Sequence, residues 1–103
     1  MGYWVYVLRC KGDRLYTGYT SNLQQRYVLH LAGQGAKYTR SFKPIEMVQA
    51  WCTGESKSVA MQVEAYIKKL SREQKIRLIQ QPDALVDLFE LKAGACGVDL
   101  TRF

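Results

Sequence analysis

Residues 5–30 read VYVLRCKGDRLYTGYTSNLQQRYVLH. Two runs rich in aromatic and β-branched residues, Tyr3 to Cys10 and Leu15 to Thr20, flank Lys11-Gly12-Asp13. Such runs favour strands, and Gly and Asp supply turn chemistry between them, so the segment predicts a β-hairpin. A loop of residues 11–13 makes the numbers of paired residues sum to an even value. Side chains alternate across a strand with period two, so Tyr6 and Tyr16 then share a face; a one-residue slip would part them. Ser21 or Asn22 can cap a helix running from about Leu23 to Leu31. Leu23, Tyr27 and Leu31 lie one turn apart and form the expected buried stripe. Arg26 and the chain's single histidine, His30, are spaced i, i+4 and share a different face. Gly33-Gln34-Gly35 ends the helix.

Beyond it, Ala36 to Lys43 reads AKYTRSFK, basic with aromatics interleaved, and Pro44 punctuates it. Ile45 to Trp51 alternates enough for a third strand. A second helix is expected from about Lys57 to Leu70, with Val59, Val63, Ile67 and Leu70 as its apolar stripe. Glu64 sits beside that stripe, four residues before Lys68. Ser71-Arg72-Glu73-Gln74 matches a capping box and starts a further helix, with Ile76, Leu78 and Ile79 apolar, stopped by Pro82-Asp83. Ala84 to Leu91 suits one more short helix, and the remainder, with Gly94 and Gly97, reads as loose. The order is β-β-α-β-α-α, an α+β arrangement with a small sheet and helices packed on it. Residues 1–82 form the expected domain, and residues 83–103 a short helix and loose acidic tail.

A length of 103 residues is one domain's worth, and a 48% hydrophobic composition supports a core. No apolar run approaches the roughly 20 residues of a membrane span. The N-terminal MGYWVYVLRC lacks a basic region ahead of an apolar one, so no signal peptide is expected. Tyr6 stands where the myristoylation pattern needs Ser or Thr. The three cysteines, Cys10, Cys52 and Cys96, form no CxxC, and one His cannot complete the usual zinc spacing. Reduced thiols in a cytoplasmic protein are the expectation. The net charge of +6 is uneven: residues 1–40 hold six Lys/Arg and one acid, while residues 82–103 hold two and four. A basic body suits a phosphate backbone, although ordinary solubility accounts for charge equally well.

Val5-Tyr6, followed by Tyr16-Thr17-Gly18, resembles the paired signature of the GIY-YIG nucleases. Arg26 lies on the following helix, His30 four residues later, and Glu64 on a later helix, as in that family's pattern. The stretches LYTG, GQGAKYTR and EAYIKKLSREQKIRLI are similar to hallmarks of its small stand-alone bacterial members, often called YhbQ/YazA-like. The resemblance covers residues 3 to about 81. Trp4 and Val5 stand where the first signature has Gly and Ile, and Thr17 where the second has Ile. Many family nucleases also carry a Lys near the second signature and a late Asn; here Tyr19 follows Gly18, and no Asn occurs after Asn22.

The resemblance implies a three-stranded antiparallel sheet flanked by helices, and phosphodiester hydrolysis with one divalent cation, Mg²⁺ or Mn²⁺. Under it, Tyr6 and Tyr16 activate water and orient the phosphate, although a phenol with a pKa near 10 needs nearby cations to serve as a base. Arg26 clamps the scissile phosphate. His30 helps deprotonate Tyr or water, or holds the phosphate. Glu64 holds the metal, since Mg²⁺ keeps most of its waters and needs few carboxylates. Gly18 lets backbone and phosphate approach closely. Lys37, Tyr38, Arg40 and Lys43 form a nucleic-acid-facing patch, with Tyr38 or Phe42 available to stack on a base. Each residue alone also has a plain reading: cross-strand packing for the tyrosines, solvated charges for Arg26 and the patch, a satisfied surface histidine for His30, and an ion pair with Lys68 for Glu64. DNA stands ahead of RNA as the expected partner, with no membrane role, and a protein partner could supply specificity. Two rivals to the enzyme remain open. One is a nucleic-acid-binding module without efficient chemistry; the other is a protein-interaction module using the acidic tail.

Overall fold

The computed structural model describes residues 2–89. Strands β1 (Tyr3–Cys10) and β2 (Arg14–Thr20) form the hairpin. Helices α1 (Leu23–Leu31) and α2 (Lys37–Ser41) lead to strand β3 (Pro44–Gly54). Helices α3 (Lys57–Lys69), α4 (Arg72–Gln80) and α5 (Asp83–Phe89) follow. The sheet is antiparallel with order β2-β1-β3, so the N-terminal strand is central. This is the expected α+β architecture with a three-stranded sheet.

The hairpin has the expected register. Tyr6 pairs with Gly18 and Leu8 with Tyr16, which puts both tyrosines on one face. The turn is closed by Gly12 and Asp13 with φ of 80° and 59°, a region that these two residue types tolerate. The expected loose segment with Gly94 and Gly97, Cys96 and most of the acidic tail lie outside the described residues.

Alternation along β1 divides the core in two. Val5 and Val7 pack with Trp51, Ala60, Val63, Ile67, Leu78 and Leu85 under α3, α4 and α5. Tyr6, Leu8 and Cys10 pack with Leu23, Tyr27, Met47 and Ala50 under α1. Burying a large apolar side chain stabilises by about 1.5–3 kcal/mol, so either layer contributes a large share of a small domain's stability. Trp51 also donates its indole N–H to the Pro82 carbonyl at 3.0 Å, tying β3 to the start of α5.

Helix starts follow the sequence. Asn22 is the cap of α1, accepting from the Gln25 N–H at 3.1 Å. The capping box of α4 is complete: Ser71 Oγ accepts from Gln74 N–H at 3.2 Å, and Gln74 Oε1 accepts from Ser71 N–H at 3.0 Å.

Two expectations need correction. Leu31 does not complete the buried stripe of α1; it is 41% exposed, and His30 takes the inward place at 0%. At 3.6 residues per turn, a residue seven positions after Leu23 is about 20° off its direction, and one eight positions after is about 80° off. The plain reading of His30 as a surface histidine fails with it. The expected order β-β-α-β-α-α also lacks α2, which turns Lys37–Ser41 into a short helix that buries Thr39.

Candidate active site

A cavity of about 530 Å³ opens beside edge strand β2. Its lining includes Tyr6, Tyr16, Arg26 and Glu64, together with Tyr3, Tyr19 and Lys57. The hairpin supplies the phenols. The Asn22 cap starts α1 in the turn that brings Arg26 to the rim, and α3 brings Glu64 across from the other layer. The Tyr6 and Tyr16 rings are 6.4 Å apart, centroid to centroid. Glu64 Oε1 lies 3.6 Å from Lys68 Nζ, so the ion pair expected from their spacing forms while the carboxylate still faces the cavity.

His30 stands behind the cavity rather than in its lining. Its Nε2 and the Tyr6 hydroxyl are hydrogen bonded at 2.8 Å, and its Nδ1 and the Thr39 hydroxyl at 2.7 Å. Tyr6, His30 and Thr39 are each at most 1% exposed. Two glycines make room for this row. A Cβ at Gly18 would lie 2.6 Å from the Tyr6 hydroxyl, and one at Gly35 would run into the His30 imidazole. The space that Gly18 leaves is therefore taken by Tyr6.

Burial pushes the Tyr6 phenol up to about 12, against hydrogen bonding and positive charge from Arg26. Tyr16 is raised for the same reason, again opposed by Arg26. Glu64 raises both phenols through its negative charge. Burial, with the nearby Arg26 charge, lowers His30 to about 4, so the imidazole is neutral at neutral pH. A neutral imidazole can accept a proton, and a cationic guanidinium faces the same phenols. Those are the ingredients for moving a proton beside a bound anion.

Among the described residues, no group of three or more His, Cys, Asp or Glu is gathered to hold a metal. A zinc cage therefore does not fit. The carboxylate at hand in the cavity is Glu64. That donor suits a hard cation that keeps most of its water shell and shares a phosphate with its ligand.

Of the basic patch, Tyr38 reaches the site: its ring stacks on Tyr16 at 5.8 Å and touches Phe42 at 5.1 Å. Tyr38 also lines a recess of about 190 Å³ with Arg14, Leu15, Arg72 and Lys75. Lys37, Arg40 and Lys43 are outside the cavity lining. Sequence reasoning missed Thr39, Gly35 and Lys57. Thr39 and Gly35 lie within the GQGAKYTR stretch, the one signal that could have marked them; nothing in the sequence points Lys57 into the cavity.

Comparison with known proteins agrees with this fold. The GIY-YIG catalytic domain family matches residues 2–77. A UPF0213 protein of Natronomonas pharaonis is 52% identical over 77 residues, covering 75% of this chain and 89% of that one. A UPF0213 protein of Staphylococcus haemolyticus is 44% identical over 79 residues, covering 77% and 95%. The solution NMR structure of a UPF0213 protein from Bacillus halodurans superposes with a TM-score of 0.52 at 42% identity, over 79% of this chain and 85% of that one.

Proposed function

Since the chain belongs to the GIY-YIG family, and so has a nuclease-type fold, we propose that it hydrolyses phosphodiester bonds in DNA with the help of one divalent cation. The observation that carries this reading is the meeting of Tyr6, Tyr16, Arg26 and Glu64 at one cavity. Arg26 binds the non-bridging oxygens of the phosphodiester, and Tyr16 donates to one of them. Binding of that anion offsets the Arg26 charge, which relieves one of the two influences holding the His30 pKa down. Tyr6 then takes a proton from the attacking water and passes its own phenolic proton to His30 Nε2. The new P–O bond forms as the ester P–O bond opposite breaks, leaving a phosphomonoester and an alkoxide, which takes a proton from solvent water in the open cavity to become the alcohol. Glu64 is the residue that would hold Mg²⁺ or Mn²⁺, which supplies Lewis-acid stabilisation of the charge developing on phosphorus. Lys57 adds a further positive charge at the cavity.

The charged groups at the cavity address the phosphodiester, which carries no sequence information, so we infer weakly specific or structure-dependent cutting suited to DNA processing and repair. The test is a panel of nicked, flapped, branched and single-stranded oligonucleotides with Mg²⁺ and with Mn²⁺. Arg26→Ala and Glu64→Ala are expected to abolish cleavage while leaving thermal unfolding unchanged. Undiminished cleavage by Glu64→Ala overturns the metal-binding role. The Glu64–Lys68 ion pair supports a second reading, a nucleic-acid-binding module without turnover. Salt-sensitive binding with no nicking by the wild-type protein would favour it.

A further inference from the structure

The count of hydroxyl and ring hydrogens behind the cavity fixes a direction that heavy-atom distances alone leave open. Thr39 carries one hydroxyl hydrogen and His30, when neutral, one ring hydrogen. The Thr39 hydroxyl donates to the Ala36 carbonyl at 2.9 Å. Its oxygen is then an acceptor towards His30, so Nδ1 carries the imidazole hydrogen. Nε2 is left with a lone pair, and the Tyr6 hydroxyl must donate to it across the 2.8 Å contact. The same assignment suits the other side of Tyr6, where the nearby positive charge of Arg26 favours an oxygen that turns a lone pair towards it. Reversing every bond would have Thr39 donate to Nδ1 and Nε2–H donate to Tyr6. That arrangement gives up the Ala36 contact and leaves the phenolic hydrogen without a partner in the row. In an interior where all three side chains are buried, the arrangement with one more hydrogen bond wins.

We propose that Thr39 is a positioning residue, which holds His30 as its Nδ1–H tautomer so that Nε2 is kept ready to receive the Tyr6 proton, with Gly35 leaving the space in which the ring is held. The proposal rests on the reading of Tyr6 as the group that takes a proton from water. When Tyr6 gives up its proton, the O–H bond breaks and an Nε2–H bond forms. The resulting imidazolium donates from both nitrogens, to the Tyr6 oxygen and to Thr39 Oγ1. Thr39 need not move, because its oxygen already accepts from Nδ1 and its hydrogen already rests on Ala36. A tautomer with the hydrogen on Nε2 could not accept the proton at all without first exchanging hydrogens with solvent, from which the ring is buried.

The chain has one histidine, so long-range ¹H–¹⁵N correlation of the ring nitrogens reads His30 alone in the full-length, metal-free protein. The expected result at neutral pH is a protonated Nδ1 and a bare Nε2, in wild type and in Thr39→Ser. In Thr39→Val the fixed tautomer is lost. With Mg²⁺ or Mn²⁺ and DNA, Thr39→Val should lower kcat by about 10- to 100-fold, in line with the loss of other groups that orient a working side chain, with KM unchanged. Thr39→Ser should restore kcat. A wild-type Nε2–H tautomer overturns the proposal, as does a Thr39→Val protein that keeps Nδ1–H. Should Thr39→Val fail to fold, the wild-type and Thr39→Ser spectra still decide the tautomer. If the wild-type protein cuts nothing, the nuclease reading falls, whereas the assignment of Thr39 still stands or falls on the spectrum.

Discussion

A missing Cβ matters most at Gly18. It faces Tyr6 directly across the β1–β2 ladder, and an added methyl would have to occupy the place of the phenol oxygen. Gly18→Ala should therefore leave the hairpin intact but displace the Tyr6 hydroxyl. A misplacement of that kind costs about 100-fold in turnover, which initial rates on a cut substrate would show beside an unchanged circular dichroism spectrum. His30 makes a prediction about stability rather than rate. Its folded-state pKa is about 4, below the ordinary 6.5, so the unfolded chain takes up the proton first as pH falls. The stabilisation is fully present above pH 6.5, declines towards pH 4 and is gone below it. Its size is on the order of 3 kcal/mol, because a tenfold change in a proton's binding constant corresponds to about 1.4 kcal/mol. Urea unfolding at neutral and at acid pH should show this loss in wild type, and His30→Gln should show a shallower dependence.

At the scale of elements, the short helix α2 connects two neighbouring sites. It turns Thr39 inward to His30 and Tyr38 outward onto Tyr16, beside the recess lined by Arg14, Arg72 and Lys75. Arg14 is stacked over Phe42 at 4.1 Å and Arg72 is paired with Asp13 at 2.8 Å, while Lys75 lines the same recess from α4. If a strand of nucleic acid passes from the cavity over Tyr38, Lys75 meets one of its phosphates. Lys75→Gln should then flatten the slope of log affinity against log salt by about 0.7 to 0.9, measured by fluorescence anisotropy at several salt concentrations. An unchanged slope would exclude the contact. Much of this level was legible beforehand. The even-sum register of the hairpin, the Asn22 start of α1 and the Ser71 box of α4 are local, and local chemistry decides them. The inward turn of His30, the helix at Lys37–Ser41 and the reach of Lys57 were not legible. Those depend on which layer closes over which face, and sequence spacing does not carry that information. The i, i+4 spacing of Arg26 and His30 predicts a shared face. In the structure one lines the cavity and the other lies buried behind it, joined through Tyr6.

Across the whole molecule, two apolar layers grip one sheet, and the site draws on both. Leu85 of α5 is fully buried in the layer that carries α3. Leu85→Ala should cost about 2–5 kcal/mol, readable as a lower urea midpoint, and should lower activity only as far as the folded fraction falls. No helix of the described residues is long and apolar enough to cross a membrane. The basic excess of the chain lies in residues 1–40, which supply most of the cavity lining, and this suits approach to a polyanion. The split origin of the site has a consequence for the growing chain. By its thirtieth residue a nascent polypeptide already holds the phenols, the guanidinium and the imidazole, yet the carboxylate arrives only at position 64, on the helix that closes the second layer. If Glu64 is needed for cleavage, a nascent chain gains that capacity only once the sheet is covered on both sides, and a fragment ending before residue 64 should not cut DNA.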